Sequence, residues 1–263
     1  MGFDVGLAIA SLASLMAAVF ALWLLSLKRV DASIADVFWG LGFLLVAGLG
    51  FVLGAGEAGR QALVLALVAA WSLRLAGWIA WRHHGRGEDP RYAAMRAEHG
   101  DRWPLRSLFQ VFVLQGLLIW LVSAPVQAAM TLGGPLGPLD ALGAALVAGG
   151  LACEAVGDWQ LARFKRDPAN RGQVMDRGLW RYTRHPNYFG DAVVWWGLYA
   201  IAAATGWGAL TLPAPALMTF LLVRVSGVAL TEAVMSGRPG YAAYVARTSA
   251  FVPWPPRPPA GLR

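Results

Sequence analysis

A polar stretch in the second half of the chain contains the residues best suited to bind a charged ligand. Residues 176–191 read Asp-Arg-Gly-Leu-Trp-Arg-Tyr-Thr-Arg-His-Pro-Asn-Tyr-Phe-Gly-Asp, in an otherwise apolar chain. Helix is disfavoured before a proline and a proline is favoured in a first helical turn, so we predict a loop up to His185 and a helix from Pro186. Free backbone N–H groups at that helix start, with neighbouring guanidinium groups, suit a phosphate. The alternative is a basic loop that only fixes membrane orientation, although orientation requires Lys and Arg alone.

The composition is that of a membrane protein. Of the 263 residues, 57% are hydrophobic and 14% are charged, whereas a soluble domain carries about 25% charged residues. The 13 Trp and 31 Gly fit as well, because Trp favours membrane interfaces and Gly allows close helix packing. The apolar runs predict an all-α, polytopic fold with seven transmembrane helices. These predicted spans are Val5–Leu27, Val37–Leu53, Gln61–Trp81, Ser107–Met130, Ala141–Leu161, Tyr188–Ala204 and Ala209–Leu230.

The distribution of positive charge predicts the orientation. Lys28 and Arg29 directly follow the first span, which places that end in the cytoplasm, the N-terminus outside and, after seven spans, the C-terminus inside. Only Arg60 among the 22 Lys and Arg falls in a predicted outer loop, and the formal net charge of +7 is thereby explained without nucleic acid. We predict one integral-membrane domain, with residues 1–106 on the substrate side and 107–263 mainly on the cofactor side.

Several ionisable residues fall at lipid depth in these spans. A charge at the middle of a span costs on the order of 3 kcal/mol, so such a residue usually faces a cavity or a partner. Snorkelling and simple pairing of acids with arginines are the alternatives. All of these residues fall toward the predicted inner half of the bilayer, which favours a shared polar cavity open to the cytoplasm. They are Arg74, Glu154, Asp158, Asp191, Arg224 and Glu232.

The polar residues together suit an extended, partly charged adenosine cofactor. Arginines and a lysine offer positive groups for phosphates, and carboxylates and Asn187 offer partners for ribose hydroxyls and an amide. The chain has no Gly-x-Gly-x-x-Gly between a strand and a helix, which excludes a Rossmann site. With four His and the single Cys153, no metal site is expected.

These residues carry a resemblance to a known family. Residues 177–191, followed by Trp195, resemble the C-terminal signature of the steroid 5α-reductase family and its bacterial relatives. The Asp-Pro-Arg-Tyr stretch at 89–92 and the tail at 240–254 are similar to those relatives too. The resemblance implies a seven-helix protein of the bacterial inner membrane that uses NADPH to reduce a carbon–carbon double bond conjugated to a ketone. It also implies an apolar, steroid-like lipid substrate taken from the bilayer.

The resemblance and the polar stretch together give the expected cofactor-binding residues. Asn187 and Asp191 are expected to contact the cofactor, with Trp195 beside it, and Asp158 to order its adenosine side. Lys165 falls where the steroid reductases have an arginine, which keeps the charge and loses the bidentate fork. The complete expected set is Arg74, Glu154, Asp158, Lys165, Arg181, Tyr182, Arg184, His185, Asn187, Asp191, Trp195, Arg224 and Glu232.

The catalytic residues of that family have poorer matches in this sequence than its cofactor-binding residues do. Its Gln-Glu pair near the start of the second span has no clear match, and its catalytic tyrosine aligns with Trp71, which cannot donate a proton. Asp36, at the mouth of the second span, is the expected catalytic residue, provided that burial keeps it protonated.

Two other functions remain open. The shorter core Arg-His-Pro-x-Tyr-x-Gly at 184–190 also occurs in membrane methyltransferases for isoprenylcysteine and phospholipid. These use S-adenosylmethionine, with an acidic partner in a C-terminal helix that Glu232 could provide. A non-enzymatic lipid-binding or transport protein is the other alternative.

Overall fold

The computed structural model describes residues 4–131, 133–204 and 206–257; Thr205, part of a predicted turn, lies outside them. In these ranges the chain is helical, and the only β-type pairing is an isolated bridge between Thr183 and Ser249. The chain forms two compact units, Met1–Ala141 with Ile201–Ala214 and Leu142–Ala200 with Pro215–Arg263. The assignment of residues 1–106 to substrate and 107–263 to cofactor stays a prediction.

The first unit contains the first seven helices. Asp4 caps the first of them, because its carboxylate accepts a hydrogen bond from the Leu7 N–H at 2.9 Å. The predicted long polar loop at 82–106 is largely helical: Pro90 occupies the first turn of a helix whose cap, Asp89, accepts from the Arg91 N–H. The helices are α1 (Val5–Arg29), α2 (Ile34–Leu53), α3 (Ala58–His83), α4 (Pro90–His99), α5 (Trp103–Ser107), α6 (Leu114–Val122) and α7 (Ala124–Thr131).

Six helical stretches of the described residues are long and apolar enough to cross a membrane, which supports a membrane protein. The sixth predicted span forms a helix, Pro186–Ala203, but this helix is not among the six. Its first turns carry the polar Asn187 and Asp191, which lower its hydropathy. The total of seven spans, which needs Tyr188–Ala204 to cross the membrane as well, stays a prediction, as does the orientation of the termini. The six stretches are Val5–Arg29, Ile34–Leu53, Ala58–His83, Pro90–Val122, Pro138–Arg166 and Trp207–Met235.

Arg60 is not the exposed loop residue that the sequence predicted. It lies in the first turn of α3 with 1% of its surface exposed. Its Nε and Nη2 atoms donate to the two carboxylate oxygens of Asp140 at 2.8 and 3.0 Å, and Nη1 donates to the Gly134 carbonyl at 2.9 Å. The buried charge is tolerated because this bidentate pairing satisfies it.

The second unit is built around one long helix and four shorter ones. Its α8 begins in the first unit, and α8 and α9 are joined by the predicted basic passage, which contains short 3₁₀ turns at Pro168–Asn170 and Gly178–Arg181. Helix α9 begins at Pro186, as predicted. The helices are α8 (Pro138–Arg166), α9 (Pro186–Ala203), α10 (Pro213–Phe220), α11 (Val228–Met235) and α12 (Tyr241–Arg247).

Glycines allow the backbones of α8 and α9 to touch. A Cβ atom built on Gly150 would lie 2.6 Å from the Gly190 carbonyl oxygen, and one on Gly190 would lie 2.5 Å from that of Gly150. About two helical turns further along α9, a Cβ on Gly197 would lie 2.7 Å from the Gly143 carbonyl oxygen of α8. Small residues that let helix backbones approach closely are the usual means of helix association in membranes.

This packing predicts opposite effects for two adjacent alanine substitutions. Gly150→Ala forces a methyl group into the α9 backbone and should lower the free energy of unfolding by about 1–3 kcal/mol. Gly149→Ala meets nothing within 4 Å and should be neutral or raise stability by up to about 1 kcal/mol, because alanine is the better helix former. Thermal melting of the two variants in detergent tests this, and equal melting temperatures would show that the helices are not held at backbone contact.

Candidate functional site

The close packing of α8 and α9 gathers acids and an amide at one level of the second unit. The Asn187 Nδ2 atom donates to Asp158 Oδ1 at 3.2 Å. A Cβ on Gly190, the residue before Asp191, would lie 3.1 Å from the Cβ of Glu154. Glu154, Asp158 and Asp191 are all buried, with 3, 5 and 7% of their surfaces exposed. Asp158 of α8 and Asn187 of α9 are therefore in direct contact, and Glu154 lies where α8 meets α9 at Gly190.

One polar atom of the Asn187 side chain has no hydrogen-bond partner among the described residues. Its Oδ1 atom is buried and accepts no hydrogen bond from the part of the chain that the structure describes. A buried amide oxygen without a partner costs free energy, so it is a ready acceptor for the N–H of a bound ligand.

A second group joins the loop before α9 to helix α11. Arg184 is buried, and its Nε atom donates to Glu232 Oε1 at 2.7 Å while Nη1 donates to the Thr248 carbonyl at 2.5 Å. The His185 Nε2 atom lies 3.3 Å from the same Glu232 oxygen, and its ring stacks on Tyr188 at 5.6 Å. The Arg184 guanidinium is thus neutralised by Glu232, which makes it a support of the site more than a free phosphate ligand.

A cavity of about 560 Å³ opens beside this group. Ligand sites for small molecules typically measure about 300–1,000 Å³. Its lining includes His185, Thr231, Tyr241 and Tyr244, and among acidic residues only Asp167. Burial raises the pKa of the Tyr241 phenol, so Tyr241 remains a hydrogen-bond donor at neutral pH. The cationic residues of the lining are Lys165, Arg166, Arg171, Arg184 and Arg238.

Of the predicted cofactor-binding residues, Lys165, Arg184 and His185 line this cavity, and Arg181 and Tyr182 are among those that do not. Arg181 is exposed and lines a second cavity of about 540 Å³, on residues that the first cavity does not use. Tyr182 is 43% exposed, and its carbonyl accepts from the Trp254 N–H at 2.9 Å. Neither residue lines the cavity beside His185. Both lie at the 3₁₀ turn Gly178–Arg181, which precedes Arg184 and His185 in the chain.

The remaining predicted residues are placed as follows. Trp195 is completely buried on α9. Arg224 is exposed and lies in a π-helical segment, Leu221–Val225, directly after α10. Arg74 is half-buried on α3 and Asp36 lies in the first turn of α2, both in the first unit.

Asp36 is engaged in a polar network of the first unit. The Arg91 Nη2 atom lies 2.8 Å from Asp36 Oδ2, and the Tyr92 hydroxyl donates to Asp36 Oδ1 at 2.6 Å. Both carboxylate oxygens of Asp36 therefore already have hydrogen-bond partners, and its expected role as the catalytic residue stays a prediction. The phenol of Tyr92, which is 7% exposed, is the proton-bearing group of the pair.

Sequence reasoning missed Tyr92. It lies in the Asp-Pro-Arg-Tyr stretch at 89–92, from which only a family resemblance was predicted and no site residue. Its partner Asp36 is 56 residues away. The segment before α2 is joined to α4 by the Glu88 carboxylate, which accepts from the Ala32 N–H at 2.8 Å and from Arg96 Nη2 at 2.7 Å.

Asp36, His83 and Asp89 also offer ligand atoms within 4.8 Å of one another. Arg91 already contacts both carboxylates, at 2.8 Å for Asp36 and 2.9 Å for Asp89. Although burial alone would raise the pKa of Asp89, its hydrogen bonds from Arg91 hold that pKa below its usual value. The Arg91 guanidinium therefore already binds two of the three groups.

His185 makes the stability of the second unit dependent on pH. Burial lowers its pKa below the ordinary value near 6.5, against the opposing effect of Glu232. The unfolded chain therefore takes up a proton at a higher pH than the folded chain does. Stability is retained above pH 6.5 and falls as the pH drops from there toward the lower folded-state pKa, by up to about 1.4 kcal/mol per pH unit.

Melting temperatures measured between pH 7.5 and pH 5 test this sign. His185→Gln should flatten the decline, whereas His99→Gln, on α4 of the first unit, should leave it unchanged. An identical pH dependence in wild type and His185→Gln would contradict the assignment.

Comparison with known proteins places the chain in a family. Residues 22–248 match the family described as "Protein of unknown function (DUF1295)". An uncharacterized protein of Schizosaccharomyces pombe is 26% identical over 265 residues, which cover 88% of this chain and 75% of the yeast protein. No solved structure gave a significant match. The extent of the family match, together with helices suited to cross a membrane, shows that the chain is a membrane protein of the DUF1295 family.

Proposed function

We propose that the protein reduces the carbon–carbon double bond of a steroid-like enone lipid with NADPH, which binds in the cavity beside His185. The observation that carries the proposal is the lining of this cavity by one acid and four cationic side chains besides Arg184, whose charge Glu232 neutralises. This charge balance suits a ligand with several phosphates. The likeness of residues 177–191 to the steroid 5α-reductase signature supports the same cofactor, as does the DUF1295 family, which includes steroid 5α-reductase-like membrane proteins.

The described residues fit the phosphate and amide groups of this cofactor. Lys165, Arg171 and Arg238 would hold phosphates, and Tyr241 would donate a hydrogen bond from its phenol. The Asn187 amide oxygen, which lacks a donor among the described residues, suits the N–H groups of a carboxamide or an adenine. Asp158 fixes the Asn187 side chain by accepting from its Nδ2 atom.

The chemistry divides between cofactor and protein. When bound, NADPH supplies a hydride to the β-carbon of the enone and leaves as NADP⁺. The protein provides a hydrogen-bond donor to the carbonyl oxygen, where negative charge develops, and a proton for the α-carbon.

A charge-matched pair of variants on one helix turn tests the cofactor assignment. Lys165→Gln removes a cation of the cavity lining and should weaken NADPH binding roughly tenfold, the usual effect of one charge-assisted hydrogen bond. Arg163→Gln makes the same change in charge two residues away, at an exposed position outside the lining, and should bind as wild type does. The measurement is the NADPH-dependent rise of the melting temperature in detergent.

A specific observation favours a second candidate, an S-adenosylmethionine-dependent methyltransferase. Glu232 of α11 binds Arg184 and lies 3.3 Å from His185, which joins an acidic residue of a C-terminal helix to the shared core at 184–190. This enzyme would be stabilised by S-adenosylmethionine and not by NADPH, since its cofactor lacks phosphates. The same melting experiment with both cofactors therefore decides between the two. Stabilisation by neither, with stabilisation by lipid or solute alone, would favour the non-enzymatic alternative.

A further inference from the structure

The second cavity, which we call the arginine cavity, is lined by four arginines. It measures about 540 Å³, and its lining residues are Asp176, Arg177, Gly178, Arg181, Arg247, Thr248, Pro256 and Arg257. Asp176, the one acid among these lining residues, is ion-paired with Arg247. Arg177, Arg181 and Arg257 form no ion pair with a residue in the described ranges.

Three guanidinium groups without counter-ions around one depression favour an anion there. Like charges repel, and Arg is the side chain whose planar fork matches phosphate oxygens. Several arginines can share one phosphate, because each of its oxygens accepts more than one hydrogen bond. The chemistry of the expected ligand is therefore that of a phosphate ester or of free phosphate.

The surroundings point to a phospholipid as the source of that phosphate. Trp254 is 69% exposed, Val252 is 57% exposed and Tyr182 is 43% exposed. A neighbouring cavity of about 370 Å³ is lined by Trp254 and shares Arg247, Thr248 and Arg257 with the arginine cavity. Exposed Trp and Tyr next to basic residues are typical of the membrane interface, where the ring lies at headgroup level.

The position along the chain agrees with this. Residues 176–181 lie in the passage between the end of the apolar helix α8 at Arg166 and the start of α9 at Pro186. Backbone hydrogen bonds from Arg184 N to the Ser249 carbonyl and from Trp254 N to the Tyr182 carbonyl fix the C-terminal segment against this passage. Basic pockets at such helix ends bind anionic lipid headgroups.

We propose that the arginine cavity binds the phosphodiester headgroup of an anionic phospholipid, with Trp254 packed against the lipid beside it. This site is distinct from the cofactor cavity, with which it shares no lining residue. The sequence predicted that Arg181 binds the cofactor, whereas this proposal assigns Arg181 to lipid binding.

The test compares two double variants of equal charge change. Purified protein in detergent is titrated with phosphatidylglycerol, with phosphatidylcholine and with inorganic phosphate, and bound lipid is counted by native mass spectrometry alongside the melting temperature. Wild type should retain phosphatidylglycerol over phosphatidylcholine and melt higher with it. Arg177→Gln/Arg181→Gln should lose about 30-fold in apparent affinity, from the usual contribution of two basic residues. Arg102→Gln/Arg106→Gln, two exposed arginines of the first unit, should behave as wild type.

Each other outcome counts against the proposal. Equal retention of both lipids by wild type, or equal losses in both double variants, would mean that only the total positive charge matters. Stabilisation by inorganic phosphate to the same extent as by phosphatidylglycerol would assign the cavity to a free anion. If Arg177→Gln/Arg181→Gln does not purify as a folded protein, the single variant Arg257→Gln takes its place, with Arg102→Gln as its control.

Discussion

The second unit depends on the backbone contact between α8 and α9. No side chain fits between Gly150 and Gly190, where a Cβ on either residue would lie 2.6 Å or less from the other's carbonyl oxygen. This contact sets the rotation of both helices, so Asp158 on α8 and Asn187 on α9 meet in a hydrogen bond. Buried acids are costly at lipid depth. Rigid backbone packing, which does not depend on those charges, keeps them in one place and ready for a ligand.

A second interaction fixes the entrance to the site. Arg184 links Glu232 of α11 to the carbonyl groups of Val245 and Thr248 at the end of α12. The buried guanidinium thereby joins the loop before α9 to the C-terminal segment. His185, the next residue in the chain, lines the cavity. Arg184 therefore serves the structure of the second unit, although it also lines the cavity.

The sequence predicted those features that depend on local chemistry. Pro186 marked a helix start, which is confirmed. The roles expected for Glu154, Asp158, Asn187 and Asp191 in cofactor binding stay predictions, although Asn187 and Asp158 are hydrogen-bonded to each other. Pairings between distant segments could not be read from spacing. Arg60 proved to be buried against Asp140, Asp36 proved to be held by Arg91, and Tyr92 was overlooked, because nothing local reveals a partner dozens of residues away. Arg181 was grouped with Arg184 by proximity in sequence, although the 3₁₀ turn directs them to different cavities.

The central claim is that the cavity beside His185 holds a phosphate-bearing adenosine cofactor. A density map of the purified protein prepared with NADPH tests it most directly. The account predicts density for the cofactor within this cavity, with phosphates next to Lys165, Arg171 or Arg238. A map in which lipid fills the cavity, or in which these side chains are paired with protein acids and the space is closed, would contradict it.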